Sequence, residues 1–156
     1  MVELEEITRI RAPIERCFDL SRSIDLHVQS TAKTGERAVA GVTSGLIGLG
    51  EQVTWRAKHM GVWREFTSKI AAMDRPRYFR DVMIRGAFRS FKHDHFFVEL
   101  GDGVTEMRDV LRFAAPVPLL GRIVEMFLRP YLSRFLRERN EVIQAAAEGE
   151  ELRRFV

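Results

Sequence analysis

The sequence has little of what marks a secreted, membrane-spanning or disulfide-rich protein. Its one cysteine, Cys17, cannot form a disulfide within the chain, and small secreted domains usually depend on disulfides. No apolar run reaches the roughly 18 residues that a membrane-spanning helix needs. The acidic start, Met-Val-Glu-Leu-Glu-Glu, lacks the apolar core of a secretory signal. We therefore expect a cytoplasmic protein without a transmembrane segment.

Strong charge bias and low-complexity tracts are also missing. The 25 basic and 22 acidic residues leave a net charge of +3, which is too small to predict nucleic-acid binding. With 156 residues and 46% hydrophobic composition, the chain can bury a core of its own. We predict one ligand-binding domain over residues 1–149 and a frayed tail over residues 150–156.

The pattern of apolar residues predicts one strand, two short helices and then a series of strands. Alternation over residues 2–11 indicates the first strand. Pro13 then opens one helix, and Ser23 is placed to cap a second. Further strands are predicted near residues 36–40, 51–60, 62–73, 78–85, 88–100 and 104–113. Short turns such as Gly101-Asp102-Gly103 join consecutive strands, so the sheet is expected to be antiparallel.

From Pro116 onward the apolar spacing becomes helical. We expect a long helix that breaks or kinks near Arg129, because Pro130 interrupts the helical pattern, and that stops near Gly149. Its arginines, including Arg139, are predicted to lie on the solvated faces. Its apolar stripe is predicted to cover the sheet. The stripe consists of Leu120, Ile123, Val124, Phe127, Tyr131, Phe135 and Val142.

This order resembles the helix-grip fold of the START and Bet v 1-like (SRPBCC) superfamily, and especially its bacterial polyketide cyclase/dehydrase-like branch. The landmarks are Gly50-Glu51-x-Val53-Thr54-Trp55, Asp74-Arg75-Pro76, Phe91-x-His93-x-His95-x-Phe97 and Thr105-x-Met107-x-Asp109. The resemblance implies an α+β fold in which a curved antiparallel sheet of six to seven strands wraps around the C-terminal helix. It also implies a cavity for a hydrophobic ligand such as a lipid or polyketide, and does not by itself imply catalysis.

Two histidines on one predicted strand are the main polar candidates. His93 and His95 are two residues apart, so their side chains share a face of the sheet, and the aromatic residues around them place that face inward. Pairing across the following turn sets His95 near Asp109. This pair is interpreted either as catalytic, with an acid–base histidine oriented by a carboxylate, or as a structural pair that orients a ligand.

Zinc binding by His93, His95 and Asp109 is a further alternative, since two histidines and a carboxylate can hold the ion. The aromatic surroundings and the lack of a nearby cysteine argue against a metal site, and no cofactor is predicted. Residues expected to contact a ligand are chosen by strand parity and helix spacing. They are Glu51, Trp55, His59, Phe66, Asp81, Phe91, His93, Phe97, Met107, Leu111, Phe127 and Tyr131.

The sequence favours a protein that binds a small hydrophobic ligand between the sheet and the C-terminal helix. One alternative is a polyketide cyclase or dehydratase that uses His95 and Asp109. The other is a module that binds a membrane surface or a partner through the basic C-terminal helix. No sequence feature determines an oligomeric state, so a homo-oligomer is possible.

Overall fold

The computed structural model describes residues 1–149, and the predicted frayed tail at 150–156 lies outside them. Seven strands form one antiparallel sheet in the order β1-β7-β6-β5-β4-β3-β2. Their bounds are β1 Val2–Ile10, β2 Arg37–Gly41, β3 Gln52–His59, β4 Val62–Asp74, β5 Tyr78–Arg85, β6 Ser90–Gly101 and β7 Val104–Ala114. The predicted six to seven strands and their antiparallel pairing are confirmed.

Two short helices follow β1, as predicted: α1 over Ile14–Ser21 and α2 over Ile24–Ser30. Pro13 occupies the position before α1, where its missing N–H costs nothing. The Ser23 hydroxyl accepts the backbone N–H of Leu26 and so caps α2. One 3-10 turn, Ala32–Thr34, leads into β2.

The hairpin of β6 and β7 has the register that the sequence predicts. His93 lies opposite Leu111, His95 opposite Asp109 and Phe97 opposite Met107. The connecting turn needs left-handed backbone at Asp102 and Gly103, with φ of 55° and 74°, which asparagine-like residues and glycine adopt most readily. Because side chains alternate between faces, this register brings both histidines and Asp109 to one side of the sheet.

The core lies between this sheet, α1 and the second half of the long helix α3, Gly121–Glu148. Phe18 of α1 packs edge-on against Phe79 and Phe97, with ring centroids 5.3 Å apart in both pairs. Cys17 is fully buried in the same cluster, and burial raises the pKa of its thiol to about 11. The thiol is therefore protonated at neutral pH.

The structure corrects three expectations about the C-terminal helix. It begins at Gly121 rather than near Pro116, and the predicted break near Arg129 is absent, because the helix continues through Pro130. Its end at Glu148, just before Gly149, agrees with the prediction. Pro130 is exposed, so water can reach the carbonyl that loses its partner. Arg139, predicted on a solvated face, is 6% exposed and lies in the interior.

The predicted apolar stripe of α3 is buried only in its second half, where Phe135 is half-buried and Val142 packs against the core. Ile123 and Phe127 are exposed, Phe127 by 71%. Leu128 and Leu132 pack instead against a buried cluster that includes Leu111 and Phe113. One step along a helix turns about 100°, so Leu128 and Leu132 lie on a different face from Ile123 and Phe127. The sequence carries apolar residues on both, and only the position of α3 on the sheet selects between them.

Among residues 1–149, no helix is long and apolar enough to cross a membrane.

Asp19 in α1 is expected to tie this helix to the β4–β5 turn in a pH-dependent way. Arg75 contacts its Oδ2 at 2.7 Å and Arg22 its Oδ1 at 2.9 Å. Burial alone would raise the pKa of Asp19, but hydrogen bonds from Arg75 and Arg22 hold it below the usual range. The stabilisation is therefore present above the unfolded pKa of about 3.9 and is lost as pH falls through the lower folded value.

We expect Asp19→Asn to lower the free energy of unfolding at pH 7 by about 1–2 kcal/mol, a modest value because Arg75 is half exposed. The difference from the wild type should shrink as pH falls below about 4. Urea unfolding across this range measures it. Asp74→Asn, which removes an exposed ion pair with Arg77, is the control and should change stability little. An equal loss in both variants would contradict the assignment.

Candidate functional site

A cavity of about 220 Å³ lies between β3–β7, the end of α1, α2 and α3. Most of its lining is apolar and much of that is aromatic. The larger apolar side chains that face it are Ile24, Ile47, Val53, Trp55, Phe66, Ile70, Phe79, Phe88, Phe91, Leu111, Leu132, Phe135 and Leu136. Polar side chains interrupt this lining at a few places, as in most small-molecule sites.

Eight of the predicted site residues line this cavity. Each is placed there by the inward parity of its strand, which the sequence pattern had indicated. They are Trp55, His59, Phe66, Asp81, Phe91, His93, His95 and Leu111.

The structure places the other predicted residues outside the lining. Phe97 and Met107 have the expected parity, but they lie beneath α1, where they are at most 1% exposed. Glu51 is exposed at the start of β3 and accepts the backbone N–H of Gly48. Phe127 is exposed on the unburied face of α3. Tyr131 reaches the site indirectly, because its hydroxyl lies 2.6 Å from Nδ1 of His59.

Asp109, the predicted partner of His95, is completely buried behind the histidines and does not face the cavity. Its Oδ1 lies 2.8 Å from Nε2 of His93, in a hydrogen bond. The same oxygen is 3.0 Å from Nδ1 of His95, but the angle is too poor for a hydrogen bond. This Nδ1 is the one buried side-chain nitrogen or oxygen without a hydrogen-bond partner in residues 1–149.

A second carboxylate, Asp81 on β5, faces the histidines from the cavity side. Its Oδ2 lies 2.9 Å from Nε2 of His95, and Asp81 is directly opposite His93 in the sheet. The His95 ring stacks on Phe79 with centroids 4.1 Å apart. The imidazole of His95 is therefore held between two carboxylates and an aromatic ring.

The helix α3 completes this cluster with two residues that sequence analysis had not assigned to the site. Asn140 donates to Oδ2 of Asp109 at 2.8 Å. Arg139 lines the cavity, and it donates to the side-chain oxygen of Asn140 and to the backbone oxygen of Ser21. Its guanidinium is 3.6 Å from Asp109. Nothing in the helical pattern marks these two polar residues as buried.

The pKa values of this cluster shift in opposite directions. Burial lowers the pKa of His93, and the neighbouring His95 lowers it further. Burial also disfavours protonated His95, but its contacts with Asp109 and Asp81 raise the pKa above its usual value. Burial would raise the pKa of Asp109, yet the contacts with His93 and His95 hold it well below the usual range. Of the two histidines, His95 is the one that carries a proton more readily.

A second polar pair lines the same cavity at α2. Nε2 of His27 lies 2.6 Å from Oε1 of the buried Glu36, and the His27 ring packs on Trp55 with centroids 4.3 Å apart. The sequence contains no spacing signal that joins these residues, because they come from a short helix, a turn and a strand. Only the folded chain brings them together.

Solved structures share this architecture. TTHA0849 from Thermus thermophilus matches with a TM-score of 0.72 and 18% identity, over 94% of this chain and 99% of that one. A START superfamily protein from Mycobacterium smegmatis matches with a TM-score of 0.66 and 14% identity, over 94% and 97%. The chain has the helix-grip fold of START proteins.

One helix-grip structure of a multidomain protein also matches. The di-domain ARO/CYC StfQ from the steffimycin biosynthetic pathway aligns with a TM-score of 0.65 and 19% identity, over 97% of this chain and 46% of that one. The sequence matches no protein-family model and no curated protein. These comparisons therefore show the fold alone, and the function has to be inferred from the side chains that line the helix-grip cavity.

Asn140 is expected to stabilise the fold through Asp109. Asn140→Ala removes a hydrogen bond to a completely buried carboxylate, and it should lower the free energy of unfolding by about 2–3 kcal/mol. Gln144→Ala, four residues along α3, removes exposed contacts only and should cost less than about 0.5 kcal/mol. Urea unfolding of both variants at neutral pH measures the difference, and similar small losses would contradict the role given to Asn140.

Proposed function

We propose that the protein binds a compact, mainly apolar molecule in the helix-grip cavity. The observation that carries the proposal is the cavity itself, which has an aromatic lining and two sets of polar groups, one around His95 and one at His27 and Glu36. Sites of this composition bind small molecules by apolar contact and orient them with a few polar groups. Protein interiors are close-packed and contain few voids larger than a water molecule. An internal space of this size beside Asp81, His93 and His95 therefore favours a bound molecule.

The size of the cavity favours a compact ligand over a lipid with two acyl chains. Pockets for drug-sized ligands usually measure about 300–1,000 Å³, and the volume here is about 220 Å³. Trp55, Phe66 and Phe91 offer ring faces and edges, while Asp81 and Arg139 offer a hydrogen-bond acceptor and donor. An aromatic or polyketide-like molecule that carries oxygen substituents satisfies both requirements.

Catalysis by His95 and Asp109 is the alternative within the same cavity. Asp109 lies behind the histidine, so it would act by orienting His95 rather than by touching a substrate. One observation, whether the ligand is recovered unchanged, distinguishes the two functions. A binding protein returns its ligand unchanged, whereas an enzyme converts it and loses the conversion in His95→Gln while binding persists.

The first test of the proposal is to compare native and denaturing mass spectra of freshly purified protein. We expect an additional mass that is lost on denaturation. The second test titrates the apolar fluorophore 1-anilinonaphthalene-8-sulfonate and displaces it with fatty acids and with hydroxylated aromatic compounds. We expect one displaceable site, with the aromatic compounds competing better because the cavity is small and lined by rings.

A cavity-blocking variant shows whether the probe occupies this space. Ala57 is 3% exposed and lines the cavity, so Ala57→Trp should weaken probe binding at least about tenfold, or roughly 1.4 kcal/mol. Ala40→Trp adds the same ring at an exposed position of β2 and is the control. Circular dichroism confirms that each variant folds. Equal affinity in both variants would show that the probe binds elsewhere.

The exposed face of α3 favours a second function, which is attachment to an anionic membrane surface. Ile123, Met126 and Phe127 are all more than half exposed at the three- and four-residue spacing of one helix face. Arg122 and Arg129 flank them and are exposed. In the described part of the chain, neither arginine has an acidic partner. An apolar stripe with unpaired cations beside it suits acyl chains and anionic headgroups.

We expect the protein to float with vesicles that contain phosphatidylserine and to release from them at high salt. Phe127→Ser should reduce flotation severalfold without loss of stability, since the side chain is 71% exposed. Val98→Ser, at an exposed position of β6, is the control. No flotation of the wild type, or equal flotation of both variants, would contradict membrane attachment and leave the cavity proposal unaffected.

A further inference from the structure

Three potential metal ligands face the cavity together. One ligand atom from each of Asp81, His93 and His95 lies within 4.8 Å of the other two. The sheet holds them rigidly, because His93 and His95 are two apart on β6 and Asp81 is the direct partner of His93 on β5. Two imidazoles and one carboxylate are a ligand set for divalent transition metals.

Asp109 is placed to contact both histidines through the ring nitrogens that would not bind the metal. Its Oδ1 is 2.8 Å from Nε2 of His93 and 3.0 Å from Nδ1 of His95. A metal-bound histidine usually donates its other ring N–H to a carboxylate, which fixes the tautomer and the orientation of the ring. The nitrogens left for a metal are then Nδ1 of His93 and Nε2 of His95, and the second of these already lies 2.9 Å from Asp81.

This arrangement also accounts for the unpartnered nitrogen. Nδ1 of His95 has no hydrogen bond within residues 1–149 although it is buried 3.0 Å from a carboxylate oxygen. Coordination through Nε2 places the ring proton on Nδ1. A small rotation of the ring would then turn the existing close approach into a hydrogen bond to Asp109.

The charge of the cluster favours a cation. Asp81 and Asp109 contribute two carboxylates, and within residues 1–149 their nearby cation is the guanidinium of Arg139, 3.6 Å from Asp109. Neutral imidazoles therefore leave one negative charge uncompensated in a largely buried site, which is costly. A proton on one imidazole neutralises this charge, and a bound divalent cation more than neutralises it.

We propose that Asp81, His93 and His95 bind one divalent first-row transition metal ion, such as Zn²⁺ or Fe²⁺, at the cavity wall. Asp109 positions both imidazoles from behind, and Asn140 holds Asp109. Because the three ligands face the cavity, the remaining coordination positions open toward it. A ligand with an oxygen substituent can reach the metal there. This site departs from the sequence-based expectation of no metal, and it includes Asp81 in place of Asp109.

The test uses full-length protein that has been freed of any affinity tag and treated with chelator. Titration with Co²⁺, followed by its visible absorption, should saturate at one equivalent with bands typical of nitrogen and oxygen ligands. Zn²⁺ should displace Co²⁺ and remove the bands, and Zn²⁺ should raise the melting temperature. Absence of saturable Co²⁺ and Zn²⁺ binding in the folded wild type overturns the proposal, and a proton alone then balances the cluster.

Two variants locate the site. Asp81→Asn keeps the shape of the side chain and removes the anionic ligand, while His93→Gln removes one imidazole. Each should weaken Co²⁺ binding at least about tenfold. His59→Gln is the matched control, since His59 also lines the cavity but lies outside the cluster, and it should bind one equivalent as the wild type does. Loss of binding in His59→Gln, or full binding in both other variants, contradicts the assignment.

The metal site and the apolar cavity can fail separately. If 1-anilinonaphthalene-8-sulfonate binds and Co²⁺ does not, only the metal proposal is wrong. If Co²⁺ binds at one equivalent and no apolar probe does, the metal site stands and the proposed function is wrong. Circular dichroism of each variant in the presence of chelator shows that loss of binding is not loss of fold.

Discussion

The buried carboxylate of Asp109 is the interaction on which the rest of the structure depends. It joins β6, β7 and α3, because one oxygen contacts both histidines and the other accepts the amide of Asn140. A completely buried charge is tolerated only when such partners surround it. The same contacts fix the histidine rings at the cavity wall. Stability and the geometry of the candidate site therefore rest on one set of contacts to Asp109.

The long helix combines two roles along its length. Its second half packs on the core and brings Arg139 and Asn140 to the polar cluster. Its first half presents Ile123 and Phe127 outward, while Leu128 and Leu132 face the sheet. A helix with two apolar faces can bury one and leave the other for a surface. One helix therefore contributes both to the cavity lining and to the exposed apolar stripe.

Strand pattern allowed much of the fold and part of the site to be predicted. Alternation and the Gly101-Asp102-Gly103 turn were enough to pair His95 with Asp109, since side-chain direction in a strand repeats every two residues. The alternation of side chains along a strand could not show which inward residues line the cavity and which are packed in the core. Phe97 points inward like His93 and His95, yet α1 covers it. Which inward residues meet empty space depends on where the helices lie, and that is not a local property.

The sequence by itself determined the element order, the antiparallel pairing and the face on which the histidines lie, because these follow from local periodicity and turn chemistry. Only the tertiary structure decided which face of α3 is buried, that Asp81 rather than Asp109 faces the cavity beside the histidines, and that His27 meets Glu36. These contacts join residues far apart in the chain or on different elements. They are set by the packing of whole helices on the sheet, which no short segment encodes.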